Sequence, residues 1–178
     1  MVRALSAAVL AALLAAPVLA AETKYALSGD NTKVEFTGKK PDGKHDGGFK
    51  KLTGTATTDA GVLKAIEVEI DTDSLWSDAD GLTKHLKNPD FFNVKENPKA
   101  TFKTTKIEKA ADRYTVTGDL TMLGKTKPVT FPAAVEEKDG TLTVKSEFKI
   151  NRTDWGMTYG KGKVDDEVAL KVNVAAKK

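Results

Sequence analysis

The stretch Thr141-Leu142-Thr143-Val144-Lys145-Ser146-Glu147-Phe148-Lys149-Ile150 decides the fold. Leu142, Val144, Ser146, Phe148 and Ile150 form a largely apolar series, while the positions between them carry Thr, Lys and Glu. A period of two puts successive side chains on opposite faces of extended chain, so this run reads as a strand with one buried side. The pattern recurs in Val168, Leu170, Val172 and Val174 against Ala169, Lys171 and Asn173. It recurs again in Tyr114, Val116, Gly118, Leu120 and Met122 against Thr115, Thr117, Asp119 and Thr121. Weaker copies stand at Val34 and Phe36, and at Ile66, Val68 and Ile70. Pro41-Asp42-Gly43, Asp59-Ala60-Gly61, Leu123-Gly124-Lys125 and Lys138-Asp139-Gly140 separate the runs with short turns that suit hairpins.

About eight strands of this kind point to an all-β domain, either a sandwich or a closed antiparallel barrel, and closure would also remove exposed sheet edges. One interruption is visible. Asp78-Ala79-Asp80 precede Leu82, Lys84 and Leu86, and Asn88-Pro89 follow, which predicts one short helix within Asp78 to Asn93.

Upstream of the strands, Met1-Val2-Arg3 give a charged start, and Ala4 to Ala16 form an uncharged, mostly apolar run. Pro17 ends it and Val18-Leu19-Ala20 supply the small residues of a cleavage site, so residues 1–20 read as a secretory signal peptide. A membrane span needs about 20 strongly apolar residues, and this stretch is shorter and rich in Ala. The mature domain is then expected over residues 21–178 of the 178-residue chain, a size that fits a single core. Its 27 Lys and Arg against 25 Asp and Glu, once Arg3 is removed, leave a nearly neutral balance with the signs interspersed. That is no electrostatic footprint for nucleic acid. The chain has no Cys, which removes disulfides, zinc–thiolate sites and thiol nucleophiles together.

Catalytic chemistry is poorly provided for. Gly118 to Thr126 ends in Gly124-Lys125-Thr126 like a phosphate-binding loop, but the spacing from Gly118 is one residue too long and a strand follows it. Asp71, Asp73, Asp78 and Asp80 suggest calcium, yet in EF-hand register Trp76 and Lys87 would occupy ligand positions, and neither carries a carboxylate. Asp78 and Asp80 suit a helix start better. The two histidines, His45 and His85, have no partner at metal-ligand spacing, and there is no Ser-centred elbow. Neighbouring pairs such as Glu136-Glu137 and Asp165-Asp166 would point to opposite faces of a strand. The expectation is a non-enzymatic protein with no metal and no cofactor.

Three stretches together resemble the YceI-like family. They are Asp71-Thr72 through His85-Leu86, Pro89-Asp90-Phe91-Phe92-Asn93-Val94 and Ala100-Thr101-Phe102; Val116 through Gly124-Lys125-Thr126-Lys127-Pro128 to Phe131; and Phe148 through Asn151-Arg152-Thr153-Asp154-Trp155-Gly156. The resemblance implies a single antiparallel eight-stranded lipocalin-like barrel, exported to the periplasm, that holds a long polyisoprenoid-type lipid in an apolar lumen. Lys39 to Gly48 departs from the family and reads as a small polar loop.

The lumen candidates are the apolar members of the alternations and motifs: Phe36, Phe91, Phe92, Phe102, Leu120, Met122, Phe148, Ile150 and Trp155. An eight-stranded barrel is near the size at which the interior either fills with side chains or holds one slim ligand. The second outcome gives a carrier, and the first an envelope structural or stress-response interaction protein. Arg152 and Asp154, two residues apart, would project to one face and pair at a barrel corner; alternatively Arg152 meets a ligand's polar head at the mouth. Neither a membrane-spanning segment nor a particular oligomeric state is expected from the sequence. Exported material should begin at Ala21, one residue either way, and intact-mass measurement of secreted protein checks it; a product retaining Met1 would contradict the signal reading.

Overall fold

The computed structural model describes residues 22–111 and 113–178. The segment read as a signal peptide, with the expected first mature residue Ala21, lies outside them. Eleven strands are present among the described residues, in place of the expected eight. In chain order they are β1 (Glu22–Ser28), β2 (Thr32–Lys40), β3 (Gly43–Phe49), β4 (Leu52–Asp59), β5 (Val62–Asp71) and β6 (Leu75–Ser77). The helix α1 (Asp80–Leu86) follows, then β7 (Lys99–Ala110), β8 (Arg113–Met122), β9 (Lys125–Lys138), β10 (Thr141–Asn151) and β11 (Glu167–Lys177).

All pair antiparallel in one curled sheet of order β1-β4-β5-β7-β8-β9-β10-β11-β2-β3-β6. Its two ends are joined by the chain itself, because the corners β1–β2, β3–β4 and β5–β6 each cross from one end of the sheet to the other. Backbone bonds secure the crossings: Ala175 N–H donates to Asn31 O (2.8 Å), Lys50 N–H to Ser74 O (3.2 Å) and Asp71 N–H to Lys51 O (3.1 Å). The result is a half-barrel with edges at β1 and β6.

The polar loop expected over Lys39 to Gly48 is a hairpin instead, with Lys39 opposite Lys44 and Phe36 opposite Gly47. A glycine can occupy this strand because the Phe36 ring lies over it and covers the space a side chain would fill. The same device recurs on the far wall. The Phe102 ring covers Gly118, where a Cβ would stand 2.5 Å from Phe102 Cζ and 2.6 Å from Lys103 O.

Strand β9 is hydrogen-bonded to β8 along Lys125–Ala133 but to β10 only along Ala134–Lys138. Proline explains the difference, since Pro128 and Pro132 carry no N–H and their free side must face away from the β8 ladder. The Pro132 carbonyl does point toward β10, where Ser146 Oγ donates to it at 2.6 Å. Beyond that bond the wall opens. Phe131 and Phe148 stack across the opening, with ring centres 4.4 Å apart and planes at 11°.

Inward residues at the end away from this opening are sealed: Tyr25, Leu63, Val116, Leu142, Val144 and Ala176 belong to one fully buried cluster. This floor comes from the two chain termini of the fold and the middle strands, and it supplies the non-local packing that makes the half-barrel one unit.

Gly118→Ala should lower the melting temperature by roughly 5 °C, as expected for overpacking worth about 1–3 kcal/mol in a chain of this size. Gly81→Ala, on α1 with nothing within 4 Å of the added Cβ, should raise it slightly. A calorimetric scan of both variants reads the difference, and a neutral Gly118→Ala would contradict the ring-over-glycine packing.

Candidate functional site

Above the floor the inward face changes character. Val34, Phe36, Val68, Phe102, Leu120 and Phe148 point inward from five different strands and are each only partly buried. Ile70, Val129, Ile150, Leu170 and Val172 continue the same surface. Ile70 and Val129 touch both the floor and a second cluster at the open end, so the lining is continuous from one to the other.

Two groups of side chains cap this space. Met122, Ala100, Met157 and Trp155 form one, and Trp155 is 2 % exposed with its Nε1–H donated to Leu120 O at 3.0 Å. Leu75, Leu86 and Phe91 form the other, beneath α1 and the loop that follows it. Phe92 packs against both groups and meets Phe49 edge-on at 5.5 Å, while Phe49 lies 6.2 Å from Phe36.

Each apolar residue singled out from the sequence therefore has a place in or over one interior. Phe36, Phe102, Leu120, Phe148 and Ile150 line it, and Phe91, Phe92, Met122 and Trp155 cap it. Sequence reasoning missed Phe49, because β3 read as a loop, and Met157, which sits in a segment with no periodicity. Leu170 and Val172 were visible in the alternation of β11.

Arg152 is 4 % exposed, at the head of a short 3-10 turn over Arg152–Trp155. Its Nε donates to Asp165 O (3.0 Å), Nη1 to Met157 O (2.6 Å) and Tyr159 O (2.9 Å), and Nη2 to Val164 O (3.2 Å) and Asp166 Oδ1 (3.2 Å). The expected partner Asp154 is replaced by Asp166, because Asp154 lies inside the turn while Asp166 returns beside it immediately before β11. The planar fork ties both stems of the 156–166 loop to the corner.

Other polar groups also hold structure. Asp78 accepts from Asp46 N–H at 3.1 Å and lies 2.9 Å from His45 Nδ1, contacts that hold its carboxyl below the usual carboxylate range. It thus ties β3 to the chain entering α1, and Asp80 alone of the expected pair lies in the first helical turn. Asp71 accepts from Asp73 N–H at 3.0 Å and caps a 3-10 turn. At the floor, burial pushes the Tyr25 phenol up, and Glu137 beside it acts in the same direction.

A concavity of about 650 Å³ is bounded by β2, β3, β6, β10 and β11 with no residue of β5, β7 or β8. Glu35, Thr37, Asp46, Trp76, Glu147 and Lys171 of its lining belong to the outward alternation, while Phe36, Gly47, Phe148 and Leu170 belong to the inward one, so residues of both faces meet at it.

Residues 25–176 match the family model of the YceI-like domain. A UPF0312 protein of Pseudomonas putida (strain GB-1) is 38 % identical over 140 residues, covering 72 % of this chain and 71 % of that protein. Protein YceI of Salmonella arizonae is 34 % identical over 136 residues with the same coverage. Among solved structures, Burkholderia cenocepacia BcnA superposes with a TM-score of 0.75 at 28 % identity, over 82 % of this chain and 96 % of that one. A polyisoprenoid binding domain from Saccharophagus degradans gives 0.70 at 15 % identity, over 86 % and 97 %, a likeness of fold alone.

Arg152→Met keeps most of the volume but leaves several carbonyls without a donor, and should cost about 3–5 kcal/mol. Asp154→Asn should cost almost nothing. Urea titration with limited proteolysis of the 156–166 loop checks both, and equal effects would contradict the Asp166 assignment.

Proposed function

The chain belongs to the YceI-like family, and from that membership we propose that it is a non-enzymatic periplasmic lipid-binding protein that holds a long polyisoprenoid-type chain between the floor and the cap. The observation that carries this reading is the band of inward apolar side chains left partly exposed while the residues below them are sealed. A filled core would bury Val34, Phe36, Leu120 and Leu170 as completely as it buries Leu142 and Val144. Each methylene taken out of water contributes roughly 0.8 kcal/mol, so several isoprene units suffice for tight binding without a hydrogen bond. Specificity would then follow the length and shape of the interior. The polyisoprenoid binding domain of the same fold supports the ligand class, and the residue 1–20 segment supports export. Arg152, with its donors directed at loop carbonyls, serves this reading as the residue that positions the mouth.

One observation favours a second reading. The Phe131–Phe148 stack and the Phe102 ring 5.6 Å from Phe131 cross the middle of the interior, as they would in an interaction protein with a filled barrel.

Mass spectrometry of a lipid extract from the purified protein separates the two, since the carrier reading requires a co-purifying long apolar lipid. Met122→Lys puts a charge among Ala100, Trp155 and Met157 and should weaken lipid or dye binding at least about tenfold. Thr121→Lys, on the outward face beside Thr126, should change it less than about twofold. Greater damage from Thr121→Lys, or an empty extract with both variants harmless, would overturn the carrier reading.

A further inference from the structure

The mouth of the half-barrel carries a second feature that lipid binding inside does not require. Tyr159 is the one large hydrophobic side chain exposed among the described residues, at 47 %. It leads directly into Gly160-Lys161-Gly162-Lys163, whose four residues form the tip of the 156–166 loop. The tip is held in shape. Lys163 N–H and Val164 N–H both donate to Gly160 O at 2.8 Å, and Gly160 and Gly162 take positive φ of 66° and 79°, which suits glycine. Arg152 fastens the loop's base on both sides, at Met157 and Tyr159 on one stem and Val164 and Asp165 on the other.

The charges around the tip are unbalanced. Lys161 and Lys163 make no ion pair among the described residues, and neither do Lys39 and Lys125, which flank the loop: Lys39 O accepts from Asp165 N–H, and Lys125 Nζ rests against Gly156. Of the neighbouring carboxylates, Asp166 pairs with Arg152 and Asp90 with His85 at 2.9 Å, while Asp154 and Asp165 are exposed, so among the described residues four unpaired lysines face two unpaired carboxylates. An amphipathic ring beside exposed lysines, whose stems can lie along apolar surface while their heads stay in water, is the combination that seats at a bilayer interface.

From this we infer that the Tyr159–Lys163 loop is a docking surface for an anionic membrane, on which the mouth of the half-barrel faces the lipid. The occupant is a bilayer because the exposed ring and the cations lie together on a short, prearranged tip: the ring suits headgroup depth and the lysines suit the negative surface. The Tyr159 ring also meets His85 at 4.8 Å and Phe91 at 5.3 Å, so the docking element touches the cap itself.

Co-sedimentation of the folded protein with vesicles tests this without reference to any lumen ligand. Vesicles containing about one third phosphatidylglycerol should bind it, pure phosphatidylcholine vesicles should bind it at least about tenfold more weakly, and raising the salt should weaken the binding without abolishing it. Lys161→Glu with Lys163→Glu should reduce binding to the anionic vesicles by roughly tenfold or more, while lipid bound inside the protein stays unchanged. Lys138→Glu, at the opposite end of β9, should do nothing. Tyr159→Ser should lower the binding that persists at high salt. Equal binding to both vesicle types, no binding to either, or a double reversal no worse than Lys138→Glu would overturn the docking surface and leave the carrier reading standing.

Discussion

Two missing hydrogen-bond donors shape the functional end of this protein. Pro128 and Pro132 leave the β10-facing side of β9 without the N–H groups a continuous ladder needs, and pairing stops at Ala134–Lys145. A wall that cannot zip must be filled or left open. Phe131 and Phe148 stack across the lower part of the opening, and Trp155 closes the upper part by donating its indole N–H to Leu120 O. Trp155 in turn needs the corner that Arg152 builds, so the mouth, its cap and its loop all follow from the place where β9 and β10 part.

This arrangement separates stability from capacity. The floor buries Tyr25, Leu63, Tyr114 and Leu142 almost completely and joins both ends of the sheet, so it holds the fold whether or not anything occupies the interior. The partly exposed band above it adds less to stability and presents apolar surface that a ligand can cover. Rings over Gly47 and Gly118 thicken two walls of the interior. The cap adds helix α1 and two loops, which meet where His85, Phe91 and Tyr159 come together.

The strands that could be read from the sequence are those whose inward positions are densely apolar. β8, β10 and β11 show uninterrupted alternation, and their inward members Leu120, Met122, Phe148 and Ile150 take their places in the interior. β3 carries Gly where that pattern needs aliphatics, because the Phe36 ring covers Gly47, and Thr and Lys interrupt the pattern in β4 and β7. Three-residue β6 is too short for any period. The partner of Arg152 was illegible for a different reason. Asp166 is fourteen positions away and arrives only because the loop folds back, whereas sequence proximity favoured Asp154. Family membership was readable from three motifs, and those motifs lie around the cap and the β8–β9 hairpin.

Lipid occupancy of the interior can be read from the two tryptophans, since Trp76 lies on the outer face against Gly48 and Trp155 lies at the cap of the interior. Single-tryptophan proteins made by Trp76→Phe and Trp155→Phe should be titrated with a long isoprenoid alcohol brominated along its chain, a contact quencher of indole fluorescence. Saturable quenching of Trp155, with Trp76 unaffected at the same concentrations, is the result expected for a chain bound between floor and cap. Quenching of Trp76 alone, or of neither, would contradict it.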